Sequence, residues 1–143
     1  MPHVYYTRSE DDTIALGRVL AESWPPPGVM LLIGGLGAGK TTLAKGIADA
    51  LGAAAPEDVS SPTFPLIHEY GDPVLVYHID LYRLDTLAEV RSIGLEEILT
   101  RPALILLEWA ERFPELLPVP RREVRLEESG EDERRVTVTD IQE

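Results

Sequence analysis

Three short apolar runs stand out in the pattern of hydrophobic and polar positions along the chain. They cover residues 29–33, 74–79 and 103–107, each with about the length of a strand. A mainly apolar run of this length indicates a strand that is buried on both faces. Two of the runs end directly at an acidic residue, Asp80 after the second and Glu108 after the third.

Segments with helical character lie between these runs. Ser9, with Asp12 three residues later, resembles a capping box and predicts a helix whose apolar positions continue to Trp24. Residues 42–51 predict a second helix with an apolar face. Residues 84–99 predict one or two further short helices.

The C-terminal part of the chain follows a different pattern. Residues 123–127 and 134–139 alternate between apolar and polar positions on either side of a turn-rich segment. This pattern predicts an antiparallel hairpin, and residues 64–70 predict one more strand. Buried strands that alternate with helices predict an α/β fold, with a mostly parallel sheet flanked by helices and the antiparallel C-terminal hairpin at its edge.

Length and composition fit one domain that comprises residues 1–143. The chain is 44% hydrophobic and 27% charged, as soluble globular proteins are. No apolar run approaches the ~20 residues that a transmembrane helix requires, and the N-terminus lacks the pattern of a secretory signal. We therefore expect a cytoplasmic protein with no membrane association. The absence of cysteine excludes disulfides and thiolate chemistry.

The formal net charge of −12 limits the kinds of partner that the chain can bind directly. Broad contact with a nucleic acid backbone requires clustered lysine and arginine. Lysine occurs only at Lys40 and Lys45. The charge therefore argues against direct docking on nucleic acid.

A glycine-rich segment connects the first apolar run to the second helix: Gly34-Gly35-Leu36-Gly37-Ala38-Gly39-Lys40-Thr41. Its spacing and its position between strand and helix are those of a P-loop. Glycines let backbone N–H groups approach phosphate, and the helix directs the positive end of its dipole towards it. The alternative, a glycine-rich turn without a ligand, explains neither the lysine nor the context.

The expected ligands of this loop are ATP or ADP and Mg²⁺. Lys40 would reach the β- and γ-phosphates, and the Thr41 hydroxyl would bind the metal. The chain contains no asparagine and so lacks an Asn-Lys-x-Asp motif for guanine, which favours ATP over GTP. The loop residues expected to contact the nucleotide are Gly37, Ala38, Gly39, Lys40, Thr41 and Thr42.

A nucleotide site of this kind also needs a carboxylate close to the metal. Asp80 and Glu108 are the candidates, because the ends of parallel strands converge on one crevice. Either residue could instead be an ordinary acidic group where a strand reaches solvent. Thr63 lies in a segment that is either switch-like or simply a polar loop, and His78 is interpreted as a core or surface histidine, not a ligand.

Beyond the P-loop, the chain resembles the TsaE (YjeE) family of bacterial P-loop ATPases. The resemblance extends from about Ser9 to the final hairpin and depends on four blocks in the family's order and spacing. These are Gly37-Ala38-Gly39-Lys40-Thr41-Thr42, Ser61-Pro62-Thr63-Phe64, His78-Ile79-Asp80-Leu81-Tyr82-Arg83-Leu84 and Glu108-Trp109.

The resemblance implies a role in forming threonylcarbamoyl-adenosine next to the anticodon of ANN-decoding tRNAs. It implies TsaB- and TsaD-like proteins as partners, with tRNA contacted only through them, and an ATPase that resets their assembly between turnovers.

For the site, the resemblance implies that Lys40 and Thr41 hold phosphate and metal. It makes Glu108 the acid on the metal side and Asp80 a catalytic or metal-linked residue. It assigns Thr63 to a nucleotide-sensing loop. Ser9 and Arg134 would lie beside the nucleotide. The family often has an acidic residue where this chain has Gly35, and any contact of that carboxylate is absent here.

Two other classes of function stay open. One is a small P-loop kinase that phosphorylates a metabolite or nucleotide, with an acceptor site built from the arginines after residue 80. The other is a nucleotide-binding protein with negligible hydrolysis. Because no arginine finger is evident in the P-loop region, we expect a Mg-dependent ATPase that is slow alone and depends on its partners.

Overall fold

The apolar runs form the centre of a mixed sheet in the computed structural model, which describes residues 2–143. Over these residues the sheet has seven strands: β1 (His3–Thr7), β2 (Gly28–Ile33), β3 (Ile67–Tyr70), β4 (Val76–Asp80), β5 (Leu104–Glu108), β6 (Arg121–Gly130) and β7 (Glu133–Ile141). The helices are α1 (Glu10–Glu22), α2 (Lys40–Ala50), α3 (Leu87–Ser92) and α4 (Leu95–Ile98). Short 3₁₀ turns cover Pro56–Asp58, Ala110–Arg112 and Pro114–Leu116.

The strands lie in the order β1-β7-β6-β2-β5-β4-β3. The four central strands β6, β2, β5 and β4 are parallel neighbours. The outer pairs β1/β7, β6/β7 and β3/β4 are antiparallel. This arrangement confirms the predicted α/β fold with a parallel centre and a C-terminal hairpin, which is formed by β6 and β7. The predicted position of the hairpin at the edge of the sheet is wrong, because β1 pairs with the outer side of β7.

Both faces of the sheet are covered at β2, β4 and β5, which explains why these strands are mainly apolar. Met30 and Leu32 of β2 point to the side of α1 and α2, whereas Leu31 and its neighbours on β5 point to the side of α3 and α4. Within residues 2–143, no helix has the length and apolar character that crossing a membrane would require.

The edge strand β1 was not predicted from the sequence. It pairs with β7 from the other end of the chain, and its Val4 and Tyr6 side chains are exposed. Its other face, with Tyr5 partly and Thr7 fully buried, is no more apolar than the exposed one, so the strand shows no alternation of apolar and polar residues. The predicted helix start at Ser9 is confirmed, because the Ser9 hydroxyl accepts a hydrogen bond from the Asp12 amide at 3.0 Å.

Helices α1 and α2 pack so closely that their backbones are in contact. A Cβ atom added at Gly46 would lie 1.9 Å from the Ile14 carbonyl oxygen, and one at Gly17 would lie 2.3 Å from the Leu43 carbonyl oxygen. Only glycine fits at these two positions. The contact fixes α2, and with it the glycine loop that precedes this helix.

We predict that Gly46→Ala destabilises the protein by about 2 kcal/mol because the helices must separate, although alanine gains ~1 kcal/mol of helix propensity. Urea unfolding measures the change. Gly35→Ala is the matched control, since a Cβ at Gly35 meets no atom within 4 Å. Equal stability of the two variants would contradict the close contact.

Candidate functional site

A cavity of about 340 Å³ opens where the parallel strands end. Of the residues predicted for the nucleotide loop, Gly37, Gly39, Lys40, Thr41 and Thr42 line it. Ala38 is buried inside the same loop. The structure therefore gathers the predicted loop residues at one cavity.

The glycine loop leads from β2 into α2 through left-handed backbone. Gly37 has φ 78° and Gly39 has φ 104°, a region that residues with a Cβ rarely adopt. Gly39 is the residue before α2, and no side chain caps the first turn of this helix. The free N–H groups of the turn therefore suit an anion such as phosphate.

Lys40 begins α2, and its ammonium lies inside the cavity wall with only 6% of the residue exposed. Its Nζ donates to the Gly34 carbonyl at 2.8 Å, lies 3.7 Å from Glu108 Oε1 and stands 4.1 Å from the centre of the Trp109 ring. A buried ammonium needs such partners. The cation is thus held at the floor of the phosphate loop.

Asp80 and Glu108 are neighbours at the ends of two parallel strands. The register of β4 and β5 pairs Asp80 with Glu108, so both side chains point to the same side of the sheet as the glycine loop. Both residues are buried and both line the cavity. The structure brings together the two acids that the sequence indicated separately.

The two carboxylates have different hydrogen-bond partners. Asp80 accepts from the Thr63 hydroxyl at 2.7 Å and from the Tyr82 amide at 2.8 Å, one bond to each oxygen. Glu108 accepts from His78 Nε2 through its Oε2 atom. Its Oε1 atom faces Lys40.

Thr63 lies in the cavity wall, in the middle of the segment 60–66. The Thr63 hydroxyl donates to Asp80, and Arg83 donates to the carbonyl of the next residue, Phe64, at 2.8 Å. At its start, the segment meets the Tyr70 hydroxyl, and burial raises the pKa of Tyr70 above its ordinary value. The segment is therefore held at both ends in this state.

Ser9 and Arg134 also line the cavity. Arg134 reaches from β7 to the glycine loop, where its Nε donates to the Ala38 carbonyl at 3.0 Å and its Nη2 to the Gly37 carbonyl at 3.2 Å. These bonds turn the loop carbonyls towards the hairpin. Because the N–H and C=O groups of a trans peptide point in opposite directions, the N–H groups of the same peptide units point away from the hairpin.

The residues present fit a nucleotide with Mg²⁺. Oxygen ligands are what this ion prefers, and it is commonly held by one or two carboxylates together with substrate phosphates. Asp80, Glu108 and the hydroxyls of Thr41 and Thr63 supply such oxygens at one cavity. Among residues 2–143 no group of three or more His, Asp or Glu side chains forms a metal cage, so the phosphates would complete the coordination.

Several residues of the cavity were not assigned to it from the sequence. Trp109 lies under the Lys40 ammonium in left-handed backbone with φ 64°, and it also packs against the core on the side of α3 and α4. Further lining residues are Glu10, Thr13, Leu36, Ser61 and Asp132. His78 is a core histidine, as interpreted, yet it contacts Glu108. Its position two residues before Asp80, on the same face of β4, was the available signal.

Comparison with known proteins gives a consistent result. The family model described as "Threonylcarbamoyl adenosine biosynthesis protein TsaE" matches residues 7–136. The tRNA threonylcarbamoyladenosine biosynthesis protein TsaE of Bacillus subtilis (strain 168) is 40% identical over 136 residues, covering 94% of this chain and 84% of that protein. The protein of the same name from Treponema pallidum (strain Nichols) is 35% identical over 132 residues, covering 92% and 96%.

A solved structure is similar across nearly the whole chain. The crystal structure of Bacillus subtilis YdiB aligns with a TM-score of 0.78 at 35% identity. The alignment covers 99% of this chain and 86% of that chain.

We predict that Thr63→Val loosens the segment 60–66 in the nucleotide-free protein, because the bond to Asp80 is lost. A hydrogen bond to a carboxylate in a half-buried place contributes about 1 kcal/mol, which corresponds to roughly fivefold faster amide exchange. Hydrogen–deuterium exchange of this segment measures the effect. Thr63→Ser keeps the hydroxyl and should exchange like the unchanged chain, and equal rates in the valine variant would contradict the prediction.

Proposed function

This chain belongs to the TsaE family, and we propose that it binds ATP and hydrolyses it slowly as an accessory protein of tRNA modification. The modification is the threonylcarbamoyl group on the adenosine next to the anticodon of ANN-decoding tRNAs. The chain would act with TsaB- and TsaD-like proteins and contact tRNA only through them. The residues 7–136 matched by the family model include every residue of the proposed site.

The observation that carries the proposal is the meeting of the glycine loop with two paired carboxylates. The uncapped N-terminus of α2 and the Lys40 ammonium offer positive potential to phosphate. Asp80 and Glu108 lie at the neighbouring strand ends. Hydrolysis of ATP requires mainly this combination of a phosphate cradle, a cation and an oriented water.

Each residue then has a separate task in the proposed reaction. The loop N–H groups would hold the phosphates, and Lys40 would neutralise negative charge on the β- and γ-phosphates. Thr41 and Glu108 would hold Mg²⁺, which when bound neutralises charge between the β- and γ-phosphates. Asp80 would act as a catalytic or metal-linked residue, and with the Thr63 hydroxyl bonded to it it would orient the attacking water.

Slow turnover by the chain alone follows from the positions of its arginines. Arg134 is the arginine that lines the cavity among residues 2–143, and its guanidinium already binds the carbonyls of Ala38 and Gly37. An arginine that stabilises charge on the transferred phosphoryl group increases turnover by about 10³–10⁵. A partner protein could supply such a group or order the segment that carries Thr63.

The arginines that the kinase alternative requires are engaged elsewhere. Arg112 donates to the carbonyls of Leu81 and Leu84, both at 2.6 Å, and Arg101 donates to the Tyr77 hydroxyl. Arg83 holds the Phe64 carbonyl. These contacts attach the arginines to the fold around β4, and none of them lines the cavity, which favours the ATPase.

We predict that Lys40→Ala and Glu108→Ala each lower the rate of Mg-dependent ATP hydrolysis by about 100-fold or more, because each removes a charge that acts on the phosphates. The rate is measured with the chain alone and with TsaB- and TsaD-like proteins. The partners should change it, and removing Mg²⁺ with EDTA should abolish it.

The chain offers a matched control for each variant. Lys45 is the other lysine and lies on α2 outside the cavity, and Glu111 is exposed shortly after β5. Lys45→Ala and Glu111→Ala should hydrolyse ATP like the unchanged chain. Hydrolysis that partners do not affect would contradict the accessory role, and phosphoryl transfer to an added metabolite would favour the kinase.

A further inference from the structure

His78 is a buried polar residue that the proposed reaction does not yet use. It lies on β4 with no exposed surface, and its Nε2 atom is bonded to Glu108 Oε2. Its other ring nitrogen, Nδ1, is buried and has no hydrogen-bond partner among residues 2–143. A buried polar atom without a partner lowers stability and calls for an explanation.

Packing alone does not account for a histidine at this position. Val76 precedes it on the same face of β4, and Leu106 lies opposite it on β5, both completely buried or nearly so. An apolar side chain would continue this pattern without leaving a nitrogen unpaired. What the histidine adds is its bond to Glu108.

The bond to Glu108 also indicates where the ring carries a hydrogen. A neutral imidazole with its hydrogen on Nε2 donates to Glu108 and leaves Nδ1 as a bare acceptor. A carboxylate oxygen accepts, so the hydrogen-bond network assigns a hydrogen to Nε2, with Oε2 of Glu108 as its acceptor.

The bond determines which carboxylate oxygen is available. Both oxygens of Asp80 accept hydrogen bonds, from Thr63 and Tyr82, and His78 occupies Oε2 of Glu108. Glu108 Oε1 has the Lys40 ammonium at 3.7 Å and accepts no hydrogen bond from any residue that the structure describes. Of the four carboxylate oxygens, it is the one without a hydrogen bond from the described residues, so both of its lone pairs stay available to a cation.

We propose that His78 is a positioning residue: its Nε2–H holds Oε2 of Glu108 so that Oε1 is directed at the metal side of the phosphate loop. This inference rests on the proposed function, because it concerns how Glu108 serves the Mg²⁺ of a bound nucleotide. Partners that orient a metal ligand through a hydrogen bond commonly change metal affinity or activity by 10–100-fold when they are removed.

Three substitutions test the role of the Nε2 atom. His78→Leu removes both nitrogens, His78→Asn places an amide nitrogen near the position of Nδ1, and His78→Gln places one near the position of Nε2. His68→Leu is the matched control, because His68 lies directly opposite His78 on β3 and its described bonds go to Ser60 and Tyr70. Circular dichroism checks the fold of every variant.

Two readouts separate positioning from a general loss of structure. The first is the affinity of the protein–ADP complex for Mn²⁺, measured by electron paramagnetic resonance as a substitute for Mg²⁺. The second is the binding of a fluorescent ADP analogue in EDTA, which reports on the phosphate loop without metal. We expect Mn²⁺ affinity to fall about 10–100-fold in the leucine and asparagine variants and to stay near the unchanged value in His78→Gln and His68→Leu. Binding in EDTA should be alike in all of them.

The outcomes distinguish this inference from the proposed function. Unchanged Mn²⁺ affinity in His78→Leu, or a glutamine variant as weak as the asparagine variant, would overturn the role of His78 while nucleotide binding stands. If His78→Leu does not fold, the comparison of glutamine with asparagine decides alone. Absence of ADP binding by the unchanged chain would overturn the proposed function, and the role of His78 with it.

Discussion

The in-register pairing of three parallel strands is the constraint on which the rest of the structure depends. Leu32 of β2 is paired with Glu108 of β5, and Glu108 with Asp80 of β4. Because parallel strands end at the same edge, the glycine loop after β2 emerges beside both carboxylates. A shift of either pairing by one residue would turn an acid to the opposite face of the sheet. The apolar packing that fixes the register therefore also determines the geometry of the site.

The parts of this arrangement that were predictable carry a local signal. A strand buried on both faces is apolar at nearly every position, which identified β2 and β5 to within one residue of their ends. The glycine loop was recognisable because phosphate binding by backbone requires glycine spacing that few other functions need. In β1, the exposed Val4 and Tyr6 are as apolar as the residues of the buried face, so the strand lacks alternation and becomes evident only from its pairing with β7.

Contacts between distant segments account for what the sequence could not predict. The bonds of Arg134 to Gly37 and Ala38 join the last strand to the first loop, and their geometry depends on the packing of the hairpin against β2. The contact of His78 with Glu108 depends on the register of two strands separated by α3 and α4. Periodicity indicates that His78 and Asp80 share a face of β4, but it does not indicate which residue of the next strand lies beside them.

The electrostatics of the site explain how a strongly acidic chain can bind an anion. The net charge of −12 acts at a distance and is screened by salt, whereas phosphate at the glycine loop would contact N–H groups and the Lys40 ammonium directly. Lys40 is already buried, with Gly34, Glu108 and Trp109 as its partners. Most of the free-energy cost of removing the ammonium from water is therefore incurred when the chain folds. When phosphate binds, the ammonium only exchanges a protein partner for a phosphate oxygen. Preorganised charges of this kind require little rearrangement when the ligand arrives, so a small domain can hold nucleotide with few basic residues.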